Sequence, residues 1–217
     1  MSINSSAPAR GLFIVFEGGD GAGKSTQVQR TSQWLQSAGA TVLTTREPGG
    51  TQISEELRSL VLDHGHGEID ARTEALMYAA ARAAHVQQVI IPALDAGTHV
   101  ICDRFVDSSL AYQGVGRGLG VDAVAAINSF ATGGLHPDAT ILLDISAQDG
   151  RSRRIANTGG IEESDRLESE PDDFHERIRM AFKELAAENP QRYLVLDATE
   201  DIEQLQSQIV THLTGLL

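Results

Sequence analysis

The chain has 217 residues, 41% hydrophobic and 22% charged, ordinary globular usage at a length that one α/β domain fills with a real core. Its net charge of -13 repels nucleic acid and anionic membranes in general, so a polyanionic ligand must be held by a local cluster of Lys and Arg. One cysteine, Cys102, excludes an internal disulfide framework and suits a reducing cytoplasm, and no stretch approaches an apolar membrane span.

Residues 1–10 lack the apolar core of a signal peptide and read as a disordered tail, with a single domain expected over 11–217. Leu12-Phe13-Ile14-Val15-Phe16 is a continuous apolar run, the mark of a parallel strand buried on both faces. The pattern from Thr26 onward, with Val28, Trp34, Leu35 and Ala38 apolar, predicts a helix. Further strands are expected at 41–45, 100–102, 140–143 and 193–196. Helices are expected at 54–62, 73–96, 121–131, 147–156, 172–188 and 202–213. Alternating β and α with continuous apolar strands predicts an α/β fold, a five-stranded parallel sheet covered by helices on both faces. The glycine- and acid-containing stretch 157–164 has no periodicity and reads as a mobile loop where a lid could sit.

Between the first strand and helix lie Gly18, Gly19, Asp20, Gly21, Ala22, Gly23, Lys24 and Ser25, the G-x-x-x-x-G-K-[ST] phosphate loop, with Thr26 after it. The glycines let backbone N–H groups turn inward onto phosphate oxygens, and the helix N-terminus adds partial positive charge. Lys24 brings a full charge to the β- and γ-phosphates, and Ser25 offers a hydroxyl to Mg²⁺. Two aspartates at strand ends, Asp103 and Asp144, are candidates to hold that Mg²⁺ through water. Asp144 reads equally as the cap of the next helix. Asp103 is followed by Arg104 and the polar segment 107–114, a density of hydrogen-bonding groups that suits a ligand crevice at the carboxyl end of a strand. Arginines recur where anions would lie: Arg58, Arg82 and Arg104, then Arg151, Arg153, Arg154 and Arg166 around the glycine loop. His64 and His66 form the only close histidine pair and read as a solvated turn, not a metal site. No N-K-x-D guanine-reading motif is present, which argues against a regulatory GTPase.

With Thr45-Arg46-Glu47-Pro48-Gly49-Gly50-Thr51, Asp103-Arg104-Phe105, Ser108-Ser109-Leu110-Ala111-Tyr112-Gln113-Gly114 and Asp165-Arg166, the chain from Gly11 onward resembles the bacterial thymidylate kinases. The resemblance implies a P-loop NTPase fold with a helical lid at about 151–168, ATP and Mg²⁺ as cofactors, and transfer of the γ-phosphoryl of ATP to thymidine monophosphate (dTMP). It implies that Asp20 contacts the 3′-hydroxyl of the acceptor, and that Arg58 and Arg104 hold its phosphate. Tyr78 would stack on thymine, Arg82 would donate to a thymine carbonyl, and Tyr112 would lie under the deoxyribose. Ser109 and Gln113 would complete the pocket beside Glu47 and Pro48. The acceptor phosphate is already ionised, so no catalytic base is needed and catalysis rests on positioning and charge. No basic residue lies in the phosphate loop ahead of Lys24, so the transition-state cation is expected from the lid, Arg153 and Arg166 first, Arg151 and Arg154 behind them. The lid departs from its relatives' shorter, more arginine-rich run: Ile155 and Asn157 interrupt it and Glu162-Glu163 extend it. A cytoplasmic homodimer without nucleic-acid or membrane partners is expected. The rival readings are another nucleoside monophosphate kinase and a P-loop ATPase acting as a partner-binding switch.

Overall fold

The computed structural model of the chain describes residues 10–158 and 165–217, so the expected tail before Arg10 and the Glu162-Glu163 turn lie outside the described residues. Strands β1 (Phe13–Gly18), β2 (Val42–Arg46), β3 (His99–Asp103), β4 (Ala139–Asp144) and β5 (Tyr193–Asp197) form one parallel sheet in the order β2-β3-β1-β4-β5. Every residue of β1 is buried, as a central strand covered on both faces requires. Ile14 and Phe16 point to one face, where α1 (Lys24–Ser37) and α9 (Ile202–Thr214) pack with Leu35, Ile209 and Leu213. Phe13 and Val15 point to the other, against Val86, Ile90 and Leu94.

Helix α1 buries Lys24, Gln27, Val28, Thr31, Ser32 and Leu35, a 3.6-residue stripe that carries its first residue, Lys24, to the strand ends. Helix α2 (Gln52–Leu62) starts where Thr51 accepts from the Ser54 N–H at 3.1 Å, and α3 (Ala71–His85) where Asp70 accepts from Arg72 and Thr73. The helix expected over 73–96 is three pieces in helical continuity: α3, a π-helical turn at Val86–Ile90 and α4 (Ile91–Asp95). Pro92 has no N–H to give the preceding turn, and the wider π turn accommodates it.

The polar segment 107–114 is helical: α5 (Val106–Ser109) runs into a π-helical segment, Leu110–Gly116. The chain continues with α6 (Val121–Thr132), α7 (Ala147–Thr158) and α8 (Asp172–Glu188). The α8 stripe Phe174, Ile178, Ala181, Phe182 and Leu185 packs against Tyr112 and Leu142. At the start of α7 the Ser146 hydroxyl accepts from the Asp149 N–H at 3.1 Å, so Ser146 and not Asp144 fills the capping position.

Candidate active site

The phosphate loop joins β1 to α1 at the carboxyl end of the sheet. Gly18, Gly21 and Gly23 take positive φ of 135°, 81° and 92°, a region that side chains disfavour. A Cβ at Gly21 would strike the backbone of Gly150 in α7, and one at Gly150 would strike the Asp20 carbonyl. Loop and lid helix therefore touch backbone to backbone. Lys24 is 7% exposed, not solvent-facing, and its ammonium donates to the Gly18 and Gly19 carbonyls at 3.1 and 3.0 Å. Burial lowers its pKa.

Asp20 sits between two clefts. Burial opposes its ionisation, but the guanidinium of Arg104 at 2.6 Å and the ammonium of Lys24 outweigh it and hold its carboxyl well below the usual range. Arg104 is the one non-glycine residue with positive φ (69°) among the described residues. Its guanidinium also donates to Ser108 at 3.2 Å and lies 5.4 Å above the Tyr112 ring. Burial works against charge on Arg104, while Tyr112 and the carboxylates of Asp20, Glu17 and Asp103 raise its pKa well above the usual value.

The larger cleft is lined by Asp20, Glu47, Pro48, Arg58, Tyr78 and Arg82, and on its far wall by Arg104, Ser109, Tyr112 and Gln113. All ten expected acceptor-site residues line this one cavity. Arg58 donates to the Pro48 carbonyl at 3.0 Å. Tyr78 is 8% exposed and belongs to the apolar core as well as to the wall. Phe182 meets Tyr112 edge-on at 6.4 Å.

Tyr78 and Arg82 reach the pocket from the buried face of α3, on which Glu74, Tyr78, Arg82 and His85 stand about one turn apart. Arg82 is 2% exposed; it donates from Nε to Glu47 at 2.6 Å, from Nη1 to Ser109 at 2.9 Å and to Asn128, and from Nη2 to the Phe105 carbonyl at 3.0 Å. Glu74 is fully buried and accepts from Gln113 at 2.9 Å, from Arg117 at 3.3 Å and from Arg166. In β1, Glu17 accepts from the N–H groups of Phe105 and Ser108 and from the Ser108 hydroxyl at 2.6 Å. Burial pushes the Glu17 carboxyl up to about 7 against the pull of Arg104. Glu17, Glu74, His85 and Asn128 were not singled out from the sequence. The signal was there for one of them, Glu17, an acid directly continuing an apolar strand run.

The second cleft lies along the phosphate loop, lined by Gly19, Asp20, Tyr112, Arg151, Arg154 and Arg179. Arg154 pairs with Glu168 at 3.4 Å and helps hold the Asp20 carboxyl down. Arg151 pairs with Asp172. Arg153 and Arg166, expected to supply the lid cation, are held elsewhere. Arg153 donates to the Ala198 carbonyl at 2.7 Å beyond β5, and Arg166 to Glu74 and the Val61 carbonyl. Neither borders this cleft, because backbone carbonyls and a buried carboxylate hold them at its edges. Asp144, the alternative metal aspartate, is occupied by Arg179 at 2.6 Å. Asp103 lies 3.4 Å from the Ser25 hydroxyl through Oδ2, while its Oδ1 is buried with no hydrogen-bond partner. A hydroxyl beside an unsatisfied carboxylate oxygen suits a hydrated divalent cation.

A phosphate loop at the end of a parallel sheet, opening on a separate pocket of aromatic and arginine side chains, defines a P-loop phosphotransferase with its own acceptor site. The sequence model of thymidylate kinase matches residues 16–209. The chain is 48% identical over 207 residues to the thymidylate kinase of Cutibacterium acnes (strain DSM 16379 / KPA171202), covering 95% of this chain and 98% of the relative. It is 49% identical over 195 residues to that of Enterococcus faecalis (strain ATCC 700802 / V583), 89% and 91% covered, and 48% identical over 216 residues to that of Leifsonia xyli subsp. xyli (strain CTCB07), 99% of each. The chain belongs to the thymidylate kinase family.

Proposed function

We propose that this chain transfers the γ-phosphoryl of ATP to dTMP, giving ADP and dTDP. The observation that carries the reading is that the phosphate-loop cleft and the acceptor pocket meet at two shared residues, Asp20 and Tyr112. An acceptor in one cleft then faces a donor in the other.

In this reading Gly18 to Thr26 cradle the ATP phosphates, with Lys24 leaving the loop carbonyls for the β- and γ-oxygens. Ser25 and Asp103 would hold Mg²⁺ through water, which neutralises charge on the donor phosphates. Arg58 and Arg104 hold the acceptor phosphate, and Asp20, ionised at neutral pH, accepts from its 3′-hydroxyl. Tyr78 stacks on the base, Arg82 donates to a base carbonyl, and Ser109, Gln113, Glu47 and Pro48 complete the wall. Tyr112 supports the sugar. Charge grows on the transferring oxygens; of the two lid arginines that border the cleft, Arg151 and Arg154, we put first Arg154, which also acts on the Asp20 carboxyl, ahead of Arg153 and Arg166. The lid, the phosphate loop and the acceptor pocket form one domain over 11–217.

The chain works as a homodimer in the cytoplasm. Exposed apolar residues on three neighbouring helices support the pairing: Leu60 on α2, Leu76 on α3, and Phe130, 91% exposed, on α6. Small residues on α3 offer little to such a pairing: Ala75, Ala79 and Ala81 are buried within the chain itself, Ala83 and Ala84 are half-buried, and Ala80 faces outward. The free thiol of Cys102 is buried, with its pKa raised by that burial, and suits a reducing compartment. Among the described residues no helix is long and apolar enough to cross a membrane.

Incubation with ATP, Mg²⁺ and dTMP should yield ADP and dTDP in equal amounts, with almost no ADP when dTMP is omitted. ADP release at the same rate with and without an acceptor would overturn the kinase reading in favour of an ATPase switch.

A further inference from the structure

We infer that His85 is a positioning residue that sets acceptor-base recognition by fixing Arg82 through Glu47. The inference rests on the proposed reading of Arg82 as the group that donates to the base.

A guanidinium has five N–H donors in one plane. In Arg82 four are committed, to Glu47, Ser109, Asn128 and the Phe105 carbonyl. One N–H, on Nη2, remains for a ligand in the cavity that Arg82 lines. Its direction follows from how the other four are anchored. Three anchors are parts of the fold's framework: the Phe105 carbonyl, Asn128 on α6, which packs against α3, and Ser109 at the end of α5. The fourth, Glu47, comes from the loop after β2 and holds Nε, the hinge of the guanidinium. What holds Glu47 therefore decides where the remaining N–H points.

His85 holds it. Nδ1 lies 2.9 Å from Glu47 Oε1, and since a carboxylate oxygen only accepts, Nδ1 carries the hydrogen. On the opposite side of the ring, Nε2 lies 2.8 Å from the Thr45 hydroxyl, which donates to it when the ring is neutral. The ring is fully buried and seated against Gly50, where a Cβ would lie 2.5 Å from Cδ2 and Nε2. Gly50 also has a φ of 87°. The second glycine of Glu47-Pro48-Gly49-Gly50 thus makes room for the ring that orients the first residue of the motif. Thr45, His85, Glu47 and Arg82 form one relay from the edge strand to the pocket, and His85 itself does not line the pocket. In such a buried relay each bond restrains the next, and an unpaired member costs more than the bond it lost.

Asn and Gln separate the two ring nitrogens, because the amide of Asn falls near Nδ1 and that of Gln near Nε2. His85→Gln and His85→Leu should raise the KM for dTMP about tenfold, the worth of one hydrogen bond to a charged group. Both should lower the preference for dTMP over deoxycytidine monophosphate, which offers an amine where thymine has a carbonyl, while turnover at saturating dTMP and the KM for ATP hold. His85→Asn should restore both the KM and the preference. A purely structural role for His85 would lower turnover with both acceptors alike and leave the preference untouched, and that result would overturn the inference. Arg82→Lys is the control on the underlying reading. If it abolishes the preference while His85→Gln and His85→Leu keep it, Arg82 reads the base and the relay is wrong. If Arg82→Lys also keeps the preference, Arg82 does not read the base and the inference falls with that reading. Should His85→Leu fail to fold, the contrast between the Asn and Gln variants decides, and equal preference in those two contradicts the relay.

Discussion

Glu17 is an acid in the middle of a sheet that offers it no water. Three donors meet its carboxylate, yet burial leaves its pKa at about 7 instead of 4.5. A carboxyl whose folded pKa is raised binds its proton in the native state and releases it in the unfolded one between those values. Stability from this group is then present below pH 4.5 and is lost as pH rises through 7, a swing on the order of 3 kcal/mol. Glu17→Gln should flatten the decline in stability between pH 5 and 8, as read from denaturant midpoints. An unchanged pH slope in the variant would assign the decline to other groups. Lys24 makes a second residue-scale case. Its ammonium binds the loop's own carbonyls, so Lys24→Ala should cost some stability as well as nearly all phosphoryl transfer, and retention of more than about a tenth of turnover would contradict its electrostatic role. Single residues of this kind are the hardest to find in a sequence. The phosphate loop, Arg104 and Tyr112 stood out because they fall in motifs. His85 and Asn128 were not, because one polar residue in an alanine-rich or apolar helix looks the same whether it is solvated or buried in a relay.

At the scale of elements, the lid helix and the phosphate loop are joined by two glycines. Gly150 lies in α7, where Ala would favour the helix by about 1 kcal/mol, yet a Cβ there meets the Asp20 carbonyl. Gly150→Ala should therefore lower turnover tenfold or more by displacing the loop from the lid, even as it favours the helix. Full turnover in that variant would show that the contact is incidental. Along the same helix, Arg154→Ala should reduce turnover on the order of 10²–10³-fold, the loss of one transition-state donor. Arg153→Ala, removing a side chain held on the Ala198 carbonyl, should leave turnover near wild type. The opposite ranking in a steady-state assay would return the role to Arg153. The sheet was legible element by element, since continuous apolar runs have one use in an α/β protein. Residues 107–114 were not among the expected helices because Asp, Ser and Gly weaken a helical pattern, and here tertiary packing on α6 and α8 overrides it. The placement of Arg153 and Arg166 was not legible, because reach depends on which carbonyls and carboxylates compete for each guanidinium.

At the scale of the whole molecule, an acidic chain binds two polyanions by gathering its arginines around one crevice. Its outer face carries a different signal, the apolar side chains of α2, α3 and α6. Phe130→Glu should convert a sedimenting dimer to a single-chain species, while a wild-type protein that sediments as one chain at micromolar concentration would contradict the dimer. The account as a whole turns on what fills the acceptor pocket. Specificity constants across the nucleoside monophosphates, with ATP saturating, test it most directly. The pocket predicts dTMP first and its demethylated analogue roughly 10–200-fold lower, the worth of one methyl in an apolar site. Equal constants for the two, or a better constant for uridylate or cytidylate, would contradict it.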